Sequence, residues 1–238
     1  MLAIVLQGRI DSSRLPEKSL LSLGGKPLIL RVMEALNYVS ADLRILACPG
    51  DCAASFAPLA AEAGFELLSG PKDDVLSRYC LAIRRFTLSR IIRATGDNPF
   101  VFVDAAAAIN AEALALGADY SGYNGLPYGA GVESLNAASL LRAEAEAAAG
   151  YEREHVCPYL YGHPELFFLH RPLAPLRWQG PHGKAMRLTV DTPEDYEHAR
   201  ELYTALDRLG DGEERYRGTG ILKVYKELFP AAEAGTGP

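Results

Sequence analysis

The first half of the chain alternates short apolar runs with amphipathic segments. The apolar runs, rich in aliphatic residues, lie at 2–6, 43–47, 65–68 and 90–94. Apolar residues at helical spacing follow them, at 27–38, 52–63, 74–86 and 103–116. Four strands that alternate with helices predict an α/β fold, in which a mainly parallel, Rossmann-like sheet is covered by helices on both faces.

The pattern changes after Gly117. Residues 119–131 are rich in Gly, Tyr and Pro and predict a loop. Strands are then predicted at 132–135, 166–170 and 186–190, and helices at 137–149, 152–161, from Thr192 onward and at 221–228. We interpret residues 120–175 as an inserted α+β segment that returns to the same sheet. The prediction is one domain over 1–230, followed by a flexible tail over 231–238.

Composition excludes several classes of protein. The chain has 238 residues, of which 49% are hydrophobic, and a formal net charge of −6. No apolar run approaches the roughly 20 residues of a membrane span, and the first residues lack the basic region of a signal peptide. The acidic balance argues against general nucleic-acid binding. Four cysteines without a CxxC motif predict reduced thiols in a cytoplasmic protein.

The loop after the first strand carries a local group of cations, Arg9, Arg14 and Lys18. Open parallel sheets bind ligands beyond the carboxyl ends of their strands, and Arg and Lys neutralise phosphates. The loop has neither GxGxxG nor GxxxxGK[ST], which excludes a dinucleotide fingerprint and a Walker loop. Two interpretations stay open: an ordinary solvated loop, or a phosphate clamp made of side chains and backbone amides.

Five motifs carry a family resemblance in a fixed order. They are GRIDSSRLPEKSLLSLGGKPL, GPKDDVLSRY, RATGDNPF, EHVCPYLY and RLTVDTPEDYE, which together span residue 2 to about residue 203. This set resembles the cytidylyltransferases that make CMP-sugar acids, such as the acylneuraminate and 3-deoxy-manno-octulosonate enzymes. It is most similar to the branch described as spore-coat polysaccharide biosynthesis cytidylyltransferases.

The resemblance implies a fold like that of the nucleotide-diphospho-sugar transferases. It implies an enzyme that uses CTP and Mg²⁺ to activate a sugar or sugar acid as its CMP derivative, for polysaccharide or glycan synthesis. The acceptor oxygen would attack the α-phosphorus and pyrophosphate would leave. A homodimer is expected, with the 120–175 insertion as a candidate pairing element. The partners implied are CTP and the acceptor, with neither nucleic acid nor membrane.

The resemblance also implies roles for individual residues. The triphosphate would lie against the first loop, with Lys18 and Arg14 contacting the leaving pyrophosphate and Gln7, Gly8, Arg9, Ser12 and Ser13 nearby. Asp73, Asp74 and Arg78 would lie beside the base or ribose, although a helix N-cap and a surface ion pair would explain them equally well. Glu133 and His155 would face the acceptor.

Asp97 and Asp191 match the metal-binding carboxylates of the family. Each follows an apolar run that is predicted to be a strand. If both strands present their carboxyl ends to one edge of the sheet, the two acids converge there. Mg²⁺ typically takes one or two carboxylates together with substrate phosphates, so this pair would suffice.

The chain departs from the family pattern at two positions. Glu17 replaces a glycine beside Lys18, and Gly131 replaces an aspartate two residues before Glu133. These departures keep alternatives open: a related pyrophosphorylase that joins another NTP to a sugar phosphate, or a degenerate nucleotide-binding subunit. A glycosyltransferase is disfavoured, because TGDNP offers one acid where those enzymes usually carry Asp-x-Asp.

Overall fold

The computed structural model describes residues 1–180, 186–210 and 212–230. Its strands are β1 (Leu2–Gln7), β2 (Ser22–Leu23), β3 (Lys26–Pro27), β4 (Leu43–Pro49), β5 (Glu66–Gly70), β6 (Arg90–Thr95), β7 (Tyr120–Ser121), β8 (Glu133–Asn136) and β9 (Leu169–His170). Its α-helices are α1 (Leu28–Leu36), α2 (Ala53–Ala63), α3 (Val75–Phe86), α4 (Val103–Leu116), α5 (Ala137–Glu146), α6 (Gly150–His155), α7 (Pro158–Gly162), α8 (Pro193–Asp207) and α9 (Gly218–Leu228). The predicted tail over 231–238 lies outside the described residues.

The described part of the chain forms one seven-stranded sheet in the order β5-β4-β1-β6-β8-β7-β9. The first four of these strands are parallel, with β1 between β4 and β6. The chain thus builds outward from β1 to β5 and then crosses back to place β6 on the other side of β1. That reversal of strand order leaves a crevice at the carboxyl ends of β1 and β6, where open α/β sheets bind ligands. The α/β prediction is confirmed.

Helices cover both faces of the sheet, because the parallel strands are apolar on both sides. In β1, Ile4 and Leu6 face the core formed with α1, α2, α4, α8 and α9, while Ala3 and Val5 face α3, α5 and α7. All four side chains are completely buried. Strands that are buried on both faces read as continuous apolar runs, which is why their positions were predictable.

A small hairpin follows the first loop and anchors it to α1. Strands β2 and β3 pair antiparallel through Gly24 and Gly25, whose φ angles are 59° and 82°. A two-residue hairpin turn with positive φ at both central positions favours glycine at both. The hairpin returns the chain directly into α1 and fixes the far end of the cation-bearing loop.

Residues 120–175 contribute the last three strands of the sheet. Strand β8 pairs antiparallel with β6 and β7, and β9 pairs parallel with β7. Two predictions need correction here. The predicted loop over 119–131 contains β7, and the predicted strand over 166–170 is reduced to β9. Both strands are two residues long and depend on neighbours that lie far away in the sequence.

The predicted strand over 186–190 is wrong. Arg187 forms a single bridge to Tyr128, and the rest of the segment is irregular. Its backbone donors bond to two loops instead of a strand: Leu188 N donates to Tyr128 O at 2.7 Å, and Val190 N donates to Asp97 O at 2.8 Å. The apolar residues of this segment are nevertheless buried, which accounts for the strand-like pattern.

The predicted helix over 152–161 consists of two short helices, α6 and α7. They are separated at Val156, whose φ of 72° is incompatible with a right-handed helix. Pro158 then begins α7, at a position where its missing N–H costs no helical hydrogen bond. The predicted helix over 137–149 also ends earlier, at Glu146.

Thr192 is the N-cap of helix α8, as predicted. The Thr192 hydroxyl accepts from Asp195 N at 3.2 Å, and the Asp195 carboxylate accepts from Thr192 N at 3.1 Å. Pro193 occupies the first helical position. This capping box fixes the chain directly after Asp191 without using the Asp191 side chain as a cap.

We expect Thr192→Ala to lower the free energy of unfolding by about 1 kcal/mol, the usual cost of losing an N-cap. Thr204→Ala is the matched control, since the Thr204 hydroxyl only bonds back to Arg200 O within the same helix. Urea denaturation of both variants measures the difference. Equal stability of the two would show that the cap does not hold the start of α8.

Candidate active site

A cavity of about 480 Å³ lies at the carboxyl ends of β1 and β6. Five parts of the chain surround it: the loop after β1, residues 72–78 after β5, the end of β6 with the residues that follow it, residues 128–129, and residues 189–191. Helix α6 closes the remaining side with Glu154 and His155. The cavity therefore occupies the crevice created by the reversal of strand order.

Two glycines let the chain approach itself closely at the floor of this cavity. A Cβ on Gly8 would lie 2.5 Å from Ile29 Cδ1, and one on Gly96 would lie 3.0 Å from Gln7 O. Gly96 N donates to Gln7 O, and Gly8 N donates to Ala47 O at 3.0 Å. Gly8 thus lies in the cavity as predicted, but its N–H is already used within the sheet.

Lys18 lies between the two predicted metal-binding carboxylates. Its Nζ is 2.8 Å from Asp97 Oδ2 and 2.9 Å from Asp191 Oδ1. It also donates to Val190 O at 3.0 Å, and its side chain is only 7% exposed. Asp97 and Asp191 therefore converge as predicted, although the reason differs: a backbone bond between Val190 and Asp97 joins them, not two strand ends.

Further cations surround Asp191. Arg14 lies 3.4 Å from its carboxylate and Arg187 lies 3.2 Å from it. Arg14 is 64% exposed, so its ion pair is solvated and readily exchanged for another anion. Arg187 is shared with Asp195, whose pKa is held below its usual value by Arg187 and backbone donors despite partial burial.

The cavity is cationic although the chain is acidic. Among the described residues, its lining holds six Lys or Arg side chains and four carboxylates. The cations are Arg9, Arg14, Lys18, Lys72, Arg78 and Arg93. An excess of positive charge in a concave site of an acidic protein raises the local concentration of anions.

Hydrogen bonds hold Arg78 and Gln7 where they line the cavity. Arg78 is 3% exposed and donates to Pro71 O and Lys72 O, while burial lowers its pKa. Its Nε has no hydrogen-bond partner among the described residues. The buried Tyr79 hydroxyl lies 3.2 Å from Val5 O and 3.3 Å from Gln7 Oε1, so these two acceptors share its one proton.

Some residues predicted for nucleotide binding lie elsewhere. Ser12 and Ser13 line a neighbouring depression, which shares Arg9 and Lys72 with the main cavity. Asp73 lines the main cavity, whereas Asp74 does not. Asp74 caps α3 by accepting from Ser77 N at 2.9 Å, and it forms an ion pair with Arg153 at 2.6 Å. Of the two interpretations of Asp74, the structure thus shows the helix N-cap with an ion pair and not a place in the main cavity.

The two predicted acceptor residues have different surroundings. His155 lines the cavity and its ring packs 4.6 Å from that of Tyr151. Glu133 does not line it; instead it forms a close ion pair with Arg93 and accepts from the Tyr120 hydroxyl at 2.8 Å. Burial alone would raise the pKa of Glu133, but Arg93 and these donors keep that pKa below its usual value. Glu133 therefore orients Arg93, which does face the cavity.

Arg93 and Lys72 are site residues that the sequence reasoning did not single out. Both lie within motifs that carry the family resemblance, RATGDNPF and GPKDDVLSRY. Lys72 bridges Asp11 at 2.5 Å and Asp51 at 3.2 Å, and so joins the loop after β5 to the first loop. The sequence feature that could have indicated both residues is a cation near the end of a predicted strand.

The Glu17 departure has a conformational consequence. Glu17 has a φ of 53°, in the left-handed region, and its side chain is exposed toward the neighbouring depression. Glycine adopts this conformation without strain, which explains its use at this position in the family signature. Gly131 lies outside the cavity, and a Cβ there would lie 3.1 Å from Leu126 Cδ1.

The sheet and the cavity at its edge have a nucleotide-diphospho-sugar transferase-like fold. A family model described as cytidylyltransferase matches residues 3–221. The spore coat polysaccharide biosynthesis protein SpsF of Bacillus subtilis is 32% identical over 206 residues, which cover 84% of this chain and 85% of that protein. The chain belongs to the cytidylyltransferase family.

Solved structures show the same fold. A cytidylyltransferase from Leptospira borgpetersenii superposes with a TM-score of 0.83 at 21% identity, covering 95% of this chain and 94% of the other. The CMP:2-keto-3-deoxy-manno-octonic acid synthetase, in complex with CTP, gives a TM-score of 0.66 at 16% identity, covering 85% and 98% of the two chains. No helix in the described ranges is long and apolar enough to cross a membrane.

We expect Glu17→Gly to raise the free energy of unfolding by up to about 1 kcal/mol, because it relieves the left-handed strain. If the first loop contacts the triphosphate, as the resemblance implies, the variant should also tighten CTP binding, more so at low salt, because it removes a carboxylate from that loop. Thermal unfolding and calorimetric titration at two salt concentrations check both effects. Loss of activity in this variant would instead show that the Glu17 carboxylate is needed for activity.

Proposed function

We propose that the protein transfers a cytidylyl group from CTP to a sugar or sugar acid and releases pyrophosphate. The observation that carries this proposal is the convergence of Lys18, Asp97 and Asp191 at the floor of a cationic cavity. Membership of the cytidylyltransferase family and the relationship to SpsF support it. The product would be a CMP-sugar used in polysaccharide or glycan synthesis.

The triphosphate would lie against the cations of the first loop. Arg9 and Arg14 are exposed there, and Lys72 faces them from the loop after β5. These side chains have donors available to phosphate oxygens, and charge-assisted bonds of this type are the strong ones. The base and ribose would lie beside Gln7, Asp73 and Arg78, which line the same cavity.

The residues present fit a divalent ion. Asp97 and Asp191 both lie within 2.9 Å of a single position, that of Lys18 Nζ, and Mg²⁺ takes one or two carboxylates together with substrate phosphates and waters. Among the described residues no larger group of acidic, His or Cys side chains could hold a metal. Bound there, the ion would offset negative charge on the reacting phosphate. We propose Mg²⁺ for this role.

Catalysis by this site would rest on positioning and charge neutralisation. Phosphoryl transfer needs no covalent enzyme intermediate when the reacting groups are held in place. The four cysteines are free and buried, and burial raises the pKa of Cys48 to about 11, so this thiol is not an available nucleophile. The acceptor would lie on the side of Arg93 and His155.

Turnover measurements test the function directly. Pyrophosphate release is followed with each of the four NTPs against a panel of sugar acids and sugar phosphates. We expect release with CTP and a sugar or sugar acid. Preference for another NTP with a sugar phosphate would indicate a pyrophosphorylase, and CTP binding without turnover on any acceptor would indicate a nucleotide-binding subunit. A homodimer and a cytoplasmic location stay predictions from the sequence.

We expect Asp97→Asn and Asp191→Asn each to keep the fold and most CTP binding but to lose about a hundredfold or more in turnover, the scale of one lost electrostatic contact in a transition state. Asp42→Asn is the matched control: Asp42 accepts from Leu2 N at the opposite edge of the sheet. Steady-state rates at saturating Mg²⁺ and CTP measure the effect. Near-normal turnover in either site variant would remove that residue from the site.

A further inference from the structure

Lys18 has no hydrogen-bond donor left for a phosphate in this structure. An ammonium group carries three N–H donors, and those of Lys18 have three acceptors: Asp97 Oδ2, Asp191 Oδ1 and Val190 O. A lysine that grips a triphosphate must first give up one or more of these acceptors. The predicted phosphate contact of Lys18 therefore requires a rearrangement of its side chain.

The ammonium also occupies the position between the two carboxylates where a divalent ion would bind. Both cations would use the same two carboxylates, and two cations this close together repel each other strongly at low dielectric. Removing Lys18 from the acids without giving it a new anion would leave a buried, unpaired charge, which is strongly unfavourable. In the absence of nucleotide, the lysine thus competes with the metal.

CTP supplies the missing anion. Its triphosphate would lie in the same cavity, which Lys18 lines. The backbone of Lys18 is held by the short helix Lys18–Leu20, and Ser19 Oγ donates to Arg9 O at 2.7 Å. Only the flexible four-carbon side chain of Lys18 needs to move, so the exchange requires no refolding of the loop.

We propose that Lys18 is the resident counter-ion of Asp97 and Asp191, and that it is exchanged for the divalent ion when CTP binds. The ammonium moves from the carboxylates to the triphosphate, and the ion takes the carboxylates. Each ligand then strengthens the binding of the other by the same factor, as thermodynamic linkage requires. This inference rests on the proposed function, because it takes Asp97 and Asp191 as the metal ligands.

The test is metal binding without nucleotide, with Mn²⁺ as the probe and the free Mn²⁺ signal in electron paramagnetic resonance as the readout. Lys18→Met keeps the length of the side chain and removes its charge. We expect it to bind Mn²⁺ at least about tenfold more tightly than the unmodified protein, the scale of one charge-assisted contact. Adding Asp97→Asn to Lys18→Met should abolish that gain.

Lys26→Met is the matched control. Lys26 also bridges two carboxylates, at 2.6 Å from Glu34 and 3.5 Å from Glu62, but it does not line the cavity. In this variant Glu34 keeps its ion pair with Arg31, and Glu62 is 53% exposed and therefore solvated. We expect no change in Mn²⁺ affinity in this variant.

Unchanged or weaker Mn²⁺ binding by Lys18→Met would overturn the exchange. If Lys18→Met does not fold, Lys18→Gln, which keeps a donor for Val190 O, is measured with the same expected and contradicting results. The outcome is separable from that of the proposed function. Tighter Mn²⁺ binding by Lys18→Met, with no turnover of the unmodified protein on any acceptor, would support the exchange and refute the transferase. Unchanged Mn²⁺ binding by the variant, with turnover of the unmodified protein, would refute the exchange and support the transferase.

Discussion

The cavity depends on one buried ammonium group and the two carboxylates that flank it. Lys18 is 79 positions from Asp97 and 173 positions from Asp191, so these contacts join the first loop, the end of β6 and the segment before α8. Removing one partner of such a buried group leaves an uncompensated charge, which is far more costly than the net value of the contact. The same groups that hold the cavity together are those that a nucleotide and a metal would use.

This arrangement explains why the surrounding chain is shaped as it is. The capping box at Thr192 and Asp195 fixes the chain beside Asp191 and leaves that carboxylate free to face Lys18. Gly8 and Gly96 bring the ends of β1 and β6 together below it. Around this centre, exposed cations such as Arg9 and Arg14 remain available to an anion. The groups that hold the cavity together and the exposed cations at its edge are thus different residues.

The sequence predicted the central fold because four strands are buried on both faces and alternate with helices. It also indicated Lys18, Asp97 and Asp191 as site residues, through motifs that follow strand ends. Other features depend on partners that are remote in the chain and leave little local pattern. Strand β7 is only two residues long, and Glu133 faces Arg93 instead of the cavity. The segment over 186–190 has the composition of a strand, but loops occupy its backbone donors.

A crystal structure with Mn²⁺ and a non-hydrolysable CTP analogue tests most directly whether Lys18 leaves the two carboxylates when nucleotide and a divalent ion bind. We expect an anomalous manganese peak beside Asp97 and Asp191, with the triphosphate along the first loop and Lys18 Nζ moved from the carboxylates to a phosphate oxygen. This expectation is contradicted if the triphosphate binds elsewhere on the protein, or if Lys18 stays between the two acids and manganese binds away from them.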